Sequence, residues 1–292
     1  MRILKLFILA VVMLLLVTNH VVAEQNILFE MSDPVADDYG PGTYIYPHNE
    51  QFKNYQGLFD LTDFKVLADN NNYIFYFKFN QITNPWHAPY GFSHQLIQVY
   101  IDNNEGGSRE TFKQGANVKF EKQHPWNQLL KITGWNVELV SLADKNPSYN
   151  SLSSAEVKFK QDKLIKVSIP QAKLNDLSEA HYYVLIGSVD GFNYDNYRQV
   201  TAEGGDWKFS GGSDSDLNPN VIDVLVPEGL NQKQVLGSFA LDEGELATLR
   251  AVGPELGLSW KLVIIFGFAI VFIITIVGAF IKAVVNFTNK FN

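Results

Sequence analysis

The chain has 292 residues, no cysteine and a formal net charge of −8 at pH 7. The absence of cysteine excludes disulfide bonds, thiol catalysis and thiolate metal sites. The acidic balance excludes the basic surface that nucleic-acid binding requires. Even without its two ends, the chain is long enough for one all-β domain with a sizeable hydrophobic core.

Residues 1–23 have the features of a secretory signal peptide. Arg2 and Lys5 precede an apolar run at residues 6–17, and small residues follow up to Ala23. A basic start, a short apolar centre and a small-residue exit are typical of such peptides, so we expect cleavage after Ala23. A first transmembrane helix is the alternative, although the apolar run is short for one.

Residues 24–229 consist of short apolar runs separated by Gly, Asn, Asp and Pro clusters. In residues 72–80 (NYIFYFKFN) alternate side chains fall on opposite faces, which predicts a β-strand. Similar runs predict strands at 96–102, 135–142, 155–161, 163–170, 181–189 and 221–227. Many short strands with little helical periodicity predict an all-β domain, specifically a β-sandwich or jelly roll.

The C-terminal end predicts a membrane anchor. Residues 230–261 are mixed in composition and are interpreted as a juxtamembrane stalk. Residues 262–281 form an apolar run of twenty positions without a charge, the length of a single transmembrane helix. Trp260 and Lys261 flank the run as interfacial anchors do. Residues 282–292 would then form a short cytoplasmic tail, with the β domain outside the cell membrane.

Several long motifs, in this order along the chain, resemble one known family. They are DPVADDYGPGTYIYP (33–47), GLFDLTDFKV (57–66), FKFNQITNPWHAPYGFSHQLIQVYID (77–102), VLIGSVDGFNYDNYRQV (184–200) and GGSDSDLNPNVIDVLVPEG (211–229). Together they resemble the C-terminal module of glucodextranase. The resemblance implies a β-sandwich akin to family 9 carbohydrate-binding modules and DOMON-like domains. It also implies association with the cell surface, with carbohydrate and, in related modules, with calcium.

The first of these motifs suggests a calcium site. Asp33, Asp37 and Asp38 crowd beside a tight Gly-Pro-Gly turn, and carboxylates this close need either solvent or a cation. Calcium takes six to eight oxygen ligands and tolerates irregular geometry. Asp60 and Asp63 are the candidates to complete the ligand set. The alternative is that these aspartates stabilise turns and face water.

Aromatic residues in loops are candidates for a sugar-binding surface, because apolar sugar faces stack on exposed rings beside polar groups. Some of these aromatic residues lie in loops that contain proline, and residues 190–198 combine tyrosines with charged side chains. Trp135, which begins a predicted strand, is expected in the core. The alternative for the loop aromatics is that they plug the ends of the sandwich. The candidate ligand-binding residues are Trp86, Tyr90, Trp126, Asp190, Tyr194, Asp195, Tyr197 and Arg198.

No phosphate loop, His-Glu-x-x-His, Gly-x-Ser-x-Gly or Rossmann fingerprint occurs in the chain. The histidines and Met31 show no paired arrangement that predicts haem ligation. We therefore expect a non-catalytic, calcium-stabilised and membrane-anchored surface protein that binds a polysaccharide or cell-envelope glycan, with surface proteins as further partners. The alternative is an envelope-associated structural protein that uses the sandwich for protein or cell-wall contacts.

Overall fold

The computed structural model describes residues 26–143, 146–152, 155–160 and 162–254. The predicted signal peptide (1–23), transmembrane segment (262–281) and tail (282–292) lie outside the described residues. None of the helices within the described ranges has the length and apolar character needed to span a bilayer.

The described part of the chain is built mainly from β-strands. In chain order the elements are β1 (Asn26–Ser32), α1 (Glu50–Lys53), β2 (Leu61–Ala68), β3 (Asn72–Phe79), β4 (Gln95–Asp102), β5 (Val118–Phe120), β6 (Gln128–Ile132), β7 (Val137–Ala143), β8 (Asn146–Ser151), β9 (Glu156–Lys160), β10 (Leu164–Pro170), β11 (His181–Ser188), β12 (Asp223–Val224), α2 (Gln232–Leu236) and β13 (Ala247–Leu249). Each strand predicted from apolar alternation is present, although β12 is much shorter than the predicted run 221–227.

The strands form two antiparallel sheets and one small parallel pair. The first sheet has the order β1-β2-β3-β10-β9, and the second has the order β12-β11-β4-β6-β7-β8. β5 and β13 pair in parallel as a two-stranded sheet. The prediction of an all-β domain is therefore confirmed, and the two large sheets are consistent with a sandwich.

Side chains from both large sheets share one hydrophobic core. Phe75 and Phe77 from β3, Val99 from β4 and Val184 from β11 are all fully buried in it. The alternation predicted for β3 thus places one face on the core. Fully burying a side chain of this size contributes about 1.5–3 kcal/mol, so this shared core accounts for much of the drive to stack the sheets.

A second hydrophobic cluster covers the outer face of the six-stranded sheet. Leu96 and Tyr100 of β4 pack there against Phe120 of β5 and Leu249 of β13. β4 is consequently buried on both faces over Gln95–Ile101, which explains why its sequence is apolar without clear alternation.

The described part of the predicted stalk belongs to the β domain. Val235 and Leu236 of α2 are buried in the second hydrophobic cluster, and Val252 is buried in the shared core. The compact unit ends at Gly253. The domain boundary expected at residue 229 is therefore corrected: the mixed composition of this segment concealed apolar side chains that pack on the sandwich.

Candidate functional site

Carboxyl groups from three parts of the chain meet at one end of the domain. Asp33 follows β1, Asp60 immediately precedes β2, and Asp223 begins β12. Asp37 and Asp38 come from the loop that follows β1. All except the partly exposed Asp37 are buried. These five residues are called the acidic centre below.

Two members of the acidic centre use one carboxylate oxygen to hold the protein backbone and leave the other unpaired. Asp223 Oδ2 accepts a hydrogen bond from the Leu61 amide at 2.7 Å. Asp38 Oδ2 accepts from the Phe59 amide at 3.2 Å and from the Tyr46 hydroxyl. The Oδ1 atoms of both aspartates are buried and have no hydrogen-bond partner among the described residues.

Asp60 follows the same pattern, and Asp33 and Asp37 each add one unpaired oxygen. Asp60 Oδ2 accepts hydrogen bonds from the Ala36 amide at 2.8 Å and from Asn80 Nδ2 at 2.9 Å. Asp60 Oδ1, Asp33 Oδ2 and Asp37 Oδ1 are buried and lack a hydrogen-bond partner within the described part of the chain. A buried acceptor without a partner costs about 1–3 kcal/mol, so a cluster of them is unusual unless a ligand completes it.

The electrostatics of the acidic centre disfavour its ionised form. Burial raises the pKa of Asp33 to about 8, and the charges of Asp37 and Asp60 add to that rise. Burial is also the main reason that the pKa values of Asp37 and Asp38 are raised to about 6. Asp223 has a pKa well above its ordinary range, from burial first and then from the charges of Asp33 and Asp37. A cation among these groups would remove the repulsion.

The donor set of the acidic centre fits calcium. Asp33, Asp37 and Asp223 each place a carboxylate oxygen within 4.8 Å of the other two. All the donors are oxygens, the ligand type that calcium prefers, and the loop geometry is irregular, which calcium tolerates. The fully buried Asp223, with one oxygen unpaired, is difficult to explain as a turn-stabilising residue.

The structure corrects the predicted ligand set at two positions. Asp63 accepts a hydrogen bond from the Ser32 hydroxyl at 3.0 Å and pairs with Lys78 at 3.5 Å on the outer surface. Its neighbour Phe64 faces the core, so strand alternation turns Asp63 away from the acidic centre. Asp223 was not predicted. A carboxylate inside the apolar run VIDVLVP was the signal that could have identified it.

A second candidate site is a shallow groove of about 470 Å³ lined by aromatic rings. Trp86, Trp135, Phe192 and Trp207 line it and are together called the aromatic groove below. Phe192 is fully exposed, and Trp135 and Trp207 are 43% and 47% exposed. Large apolar side chains that remain accessible as a group mark a binding surface.

Buried aromatic residues support the groove from beneath. The ring of Phe52, on α1, lies 5.9 Å from Trp86 and 6.1 Å from Trp207 between centroids. The ring of His94 lies 4.6 Å from Trp86. Burial lowers the pKa of His94 to about 3, so this imidazole is neutral at pH 7 and packs as an aromatic ring. Trp86 and Trp207 are therefore held in place before any ligand binds.

Arg198 positions one wall of the groove. Its guanidinium donates to the carbonyl oxygens of Trp207 at 2.9 Å and Val189 at 2.7 Å, and to Ser188 Oγ at 3.0 Å. It also pairs with Asp190 at 3.4 Å. Arg198 is 5% exposed. Because its donors are occupied by the protein, it fixes the Trp207 loop and has little capacity to bind a ligand directly.

The predicted ligand-binding residues are only partly brought together. Trp86, Asp190 and Arg198 line the aromatic groove. Tyr90 is half-buried and packs against the shared core. Tyr194 is 77% exposed, but it lines a different cavity, beside Glu110–Gly115.

Two of the predicted aromatics are core residues. Trp126 is 1% exposed, and its indole N–H donates to the Glu110 carbonyl at 2.7 Å. Tyr197 is also 1% exposed, and its hydroxyl donates to Gln98 Oε1 at 3.0 Å. Neither ring has a face available to stack on a ligand, which corrects the prediction at both positions. The alternative considered for loop aromatics, that they plug the fold, applies to these two.

Asp195 is likewise committed to the protein interior. Its carboxylate accepts hydrogen bonds from Lys131 Nζ at 2.6 Å and from Gln98 Nε2 at 2.6 Å. Lys131 also donates to the Asp195 carbonyl at 3.0 Å and to Asn196 Oδ1 at 2.9 Å. The side chains of this ion pair are only 6% and 2% exposed. Asp195 therefore anchors the loop and is not a ligand contact, contrary to the prediction.

Three groove residues were absent from the candidate ligand-binding set, although Trp207 is one of the loop aromatics that the sequence offers as a stacking surface. Trp135 was expected in the core, but it lies in the turn before β7, where its amide donates to Thr133 Oγ1 at 3.2 Å. Phe192 lies at the tip of a turn closed by its amide and Asp190 Oδ1 at 3.0 Å. Trp207 lies in a glycine-rich loop, a setting that pointed to exposure but did not show which residues it meets.

Comparison with known families identifies the fold and the site as parts of a known module. The model of a family described as the C-terminal binding-module, SLH-like, of glucodextranase matches residues 28–251. That range contains the whole acidic centre and the whole aromatic groove. No curated protein shows a significant match to the chain.

Proposed function

Because the chain belongs to the family of SLH-like C-terminal binding modules of glucodextranase, we propose that it is a non-catalytic binding protein for a polysaccharide or cell-envelope glycan. The family resemblance predicted from the motifs is confirmed by this match, which is to a binding module and not to a catalytic domain. The aromatic groove is the observation that carries the proposal.

The groove has the properties that sugar binding requires. Sugar rings present apolar C–H faces, and the exposed rings of Trp135, Trp207 and Phe192 can pack against them. Tryptophan also brings an N–H donor for a sugar hydroxyl. The buried support from Phe52 and His94 limits the side-chain entropy lost on binding.

Calcium has a separate, structural role in this proposal. Asp33, Asp37 and Asp223 would hold the ion, with Asp38 and Asp60 beside them. The ion would supply positive charge that lets the carboxylates ionise while buried. Because the five aspartates come from the loop after β1, the start of β2 and the start of β12, their shared ion would hold these three parts of the chain together.

A membrane anchor completes the proposal. Residues 262–281 would hold the protein in the cell membrane, with the β domain on the outer side, following removal of residues 1–23. A protease added to intact cells, with any outer barrier opened, is expected to remove the domain and leave a small membrane-bound stub. Protection of the domain would contradict this topology.

The glycan proposal is tested by a glycan array with the solubilised full-length protein, followed by affinity measurements on any glycan that binds. Trp135→Ala and Trp207→Ala are each expected to weaken binding about tenfold, since a tenfold loss corresponds to about 1.4 kcal/mol and aromatic contacts contribute this order of energy. Tyr194→Ala is the matched control, because it removes an exposed aromatic ring outside the groove.

Two results would overturn the assignment of the groove. One is a loss of affinity in Tyr194→Ala with none in the tryptophan variants. The other is the absence of binding to any α-glucan or envelope polysaccharide by a protein that is folded and calcium-loaded, which would favour the protein-contact role.

A further inference from the structure

A second group of metal-ligating side chains lies outside both sites described above. Asp102 ends β4 and His181 begins β11, and the two are directly opposed across the antiparallel pair. His124 comes from the loop after β5. One ligand atom from each residue lies within 4.8 Å of the other two. We propose that Asp102, His124 and His181 bind a transition-metal ion of the Zn²⁺ class.

The three side chains are already in contact. Asp102 Oδ2 lies 3.0 Å from His124 Nδ1. The rings of His124 and His181 stack with centroids 3.9 Å apart and an interplanar angle of 20°. Zinc–nitrogen and zinc–oxygen bonds are about 2.0–2.2 Å, so tetrahedral ligands lie roughly 3.3 Å apart. The ligand atoms lie within 4.8 Å of one another, so no separation must close by more than about 1.5 Å, with rotation of an imidazole out of the stack.

The backbone around the cluster restrains the histidines. Strand pairing fixes His181 opposite Asp102, as cross-strand neighbours on one face. A Cβ atom at Gly253 would lie only 2.5 Å from His181 Cδ2, so the glycine backbone packs closely against this imidazole. The Tyr183 hydroxyl donates to the His124 carbonyl at 2.7 Å and thereby holds the loop. Little reorganisation beyond side-chain rotation is required.

The surroundings favour a cation with an open coordination position. The cluster lines a shallow cavity of about 430 Å³ that also contains Glu105, Asp176 and Glu179, which make the local potential negative. Asn103 lines the same cavity, and its buried Oδ1 has no hydrogen-bond partner among the described residues. All three ligating residues are partly exposed. Three protein ligands and solvent access leave a position for water or a substrate oxygen.

Ligand chemistry separates this cluster from the acidic centre. Two imidazole nitrogens and one carboxylate suit zinc, copper or nickel, whereas calcium prefers oxygen ligands alone. The acidic centre offers only carboxylate oxygens. The proposed zinc site therefore does not depend on the calcium role or on glycan binding.

Isothermal titration of Zn²⁺ into metal-stripped, full-length protein tests the proposal, with calcium present in excess so that any all-oxygen site is filled. One zinc ion is expected per chain. His124→Ala and His181→Ala are each expected to weaken zinc binding by at least about tenfold, since even supporting residues around metal ligands contribute that much. His48→Ala is the matched control, because His48 is exposed and outside the cluster.

Circular dichroism tests whether each variant is folded. If an alanine variant does not fold, the loop variant His124→Asn is used in its place. An absorption spectrum of tetrahedral Co²⁺ that disappears in His124→Asn would support the site independently. Zinc binding that is unchanged in both histidine variants, or that calcium displaces competitively, would overturn it.

Discussion

Removal of calcium is expected to destabilise the domain by about 3 kcal/mol. An ion bound only by the folded state stabilises it by about 2.7 kcal/mol at a hundredfold excess over its dissociation constant. The raised pKa values of the buried aspartates indicate a cost of the same order. The pKa of the buried Asp38 is raised by about two units, to about 6, and each unit is worth about 1.4 kcal/mol. Ionising Asp38 without a cation therefore costs the folded state about 3 kcal/mol.

The pH dependence of this effect has a definite sign. The pKa of Asp33 is raised to about 8 and those of Asp37 and Asp38 to about 6, from an ordinary value of 3.8. The metal-free folded state thus binds protons more tightly than the unfolded state, and its stability falls as the pH rises from 3.8 to about 8.

Calcium must displace these protons, so its stabilising effect grows over the upper part of the same window. Between pH 6 and pH 8 displacement of the Asp33 proton alone predicts an affinity increase of up to about a hundredfold. His94 has the opposite dependence: its pKa is lowered to about 3, so stability from its neutral form is lost as the pH falls below 6.5. The pKa of His94 is set by burial and by Arg198, not by the carboxylates of the acidic centre, so this pH dependence is present both with and without calcium.

The assay is chemical unfolding of the solubilised chain, followed by tryptophan fluorescence, with calcium or after metal removal, at pH 6 and pH 8. Asp223→Asn is expected to lose most of the calcium response. Asp63→Asn is expected to retain it, because Asp63 lies on the outer surface. Equal stability with and without calcium at both pH values would refute the calcium site. Loss of the response in Asp63→Asn instead would refute the assigned ligands.

Three further substitutions test the packing around the sites. Lys131→Met is expected to lower the free energy of unfolding by about 3–5 kcal/mol, because it leaves the Asp195 carboxylate buried without its cation; denaturant titration measures the change. Trp126→Ala is expected to cost about 3–5 kcal/mol in the same assay and to leave the glycan affinity of the folded protein unchanged, since the ring is buried. Gly134→Ala would drive a Cβ atom into the Phe92 carbonyl oxygen beside the groove. Calorimetry should therefore show that the free energy of unfolding falls by about 1–3 kcal/mol, and binding assays should show a weaker glycan affinity.

Alternation along individual strands was sufficient to predict the fold class. The pattern around Phe75 and Phe77 indicates a strand with one buried face, and the structure places those rings in the core. The domain boundary at residue 229 was harder to predict. Gln232 lies beyond it and is polar, which indicates an exposed position, yet it is 2% exposed within the β domain. Its side chain donates to the Gly40 carbonyl at 3.1 Å and accepts from the Val224 amide at 2.8 Å. Such burial depends on partners distant in sequence, which composition does not reveal.

The same limit applies to the two candidate sites. Crowded aspartates near residue 37 identified the acidic loop, but Asp223 joins it through pairing of β12 with β11, a contact between distant parts of the chain.

For the aromatics, a loop position was an unreliable guide to exposure. Trp126 lies between polar residues and a proline (QHPWNQ, 123–128) and Trp207 lies among glycines (EGGDWKFSGG, 203–212), yet one is 1% exposed and the other 47%. The difference arises because Trp126 is covered by β5 and its neighbours, and no pattern in its own segment reports that cover.

Contiguous aromatic packing connects the acidic centre to the aromatic groove. Tyr46, whose hydroxyl binds Asp38, lies 5.3 Å from Phe59 between ring centroids, and Phe59 lies 6.4 Å from His94. His94 in turn contacts Trp86 in the groove. Because interiors packed this closely transmit displacement, loss of the ion should loosen the groove as well as the fold. Glycan affinity is therefore expected to fall on calcium removal even under conditions where the domain remains folded.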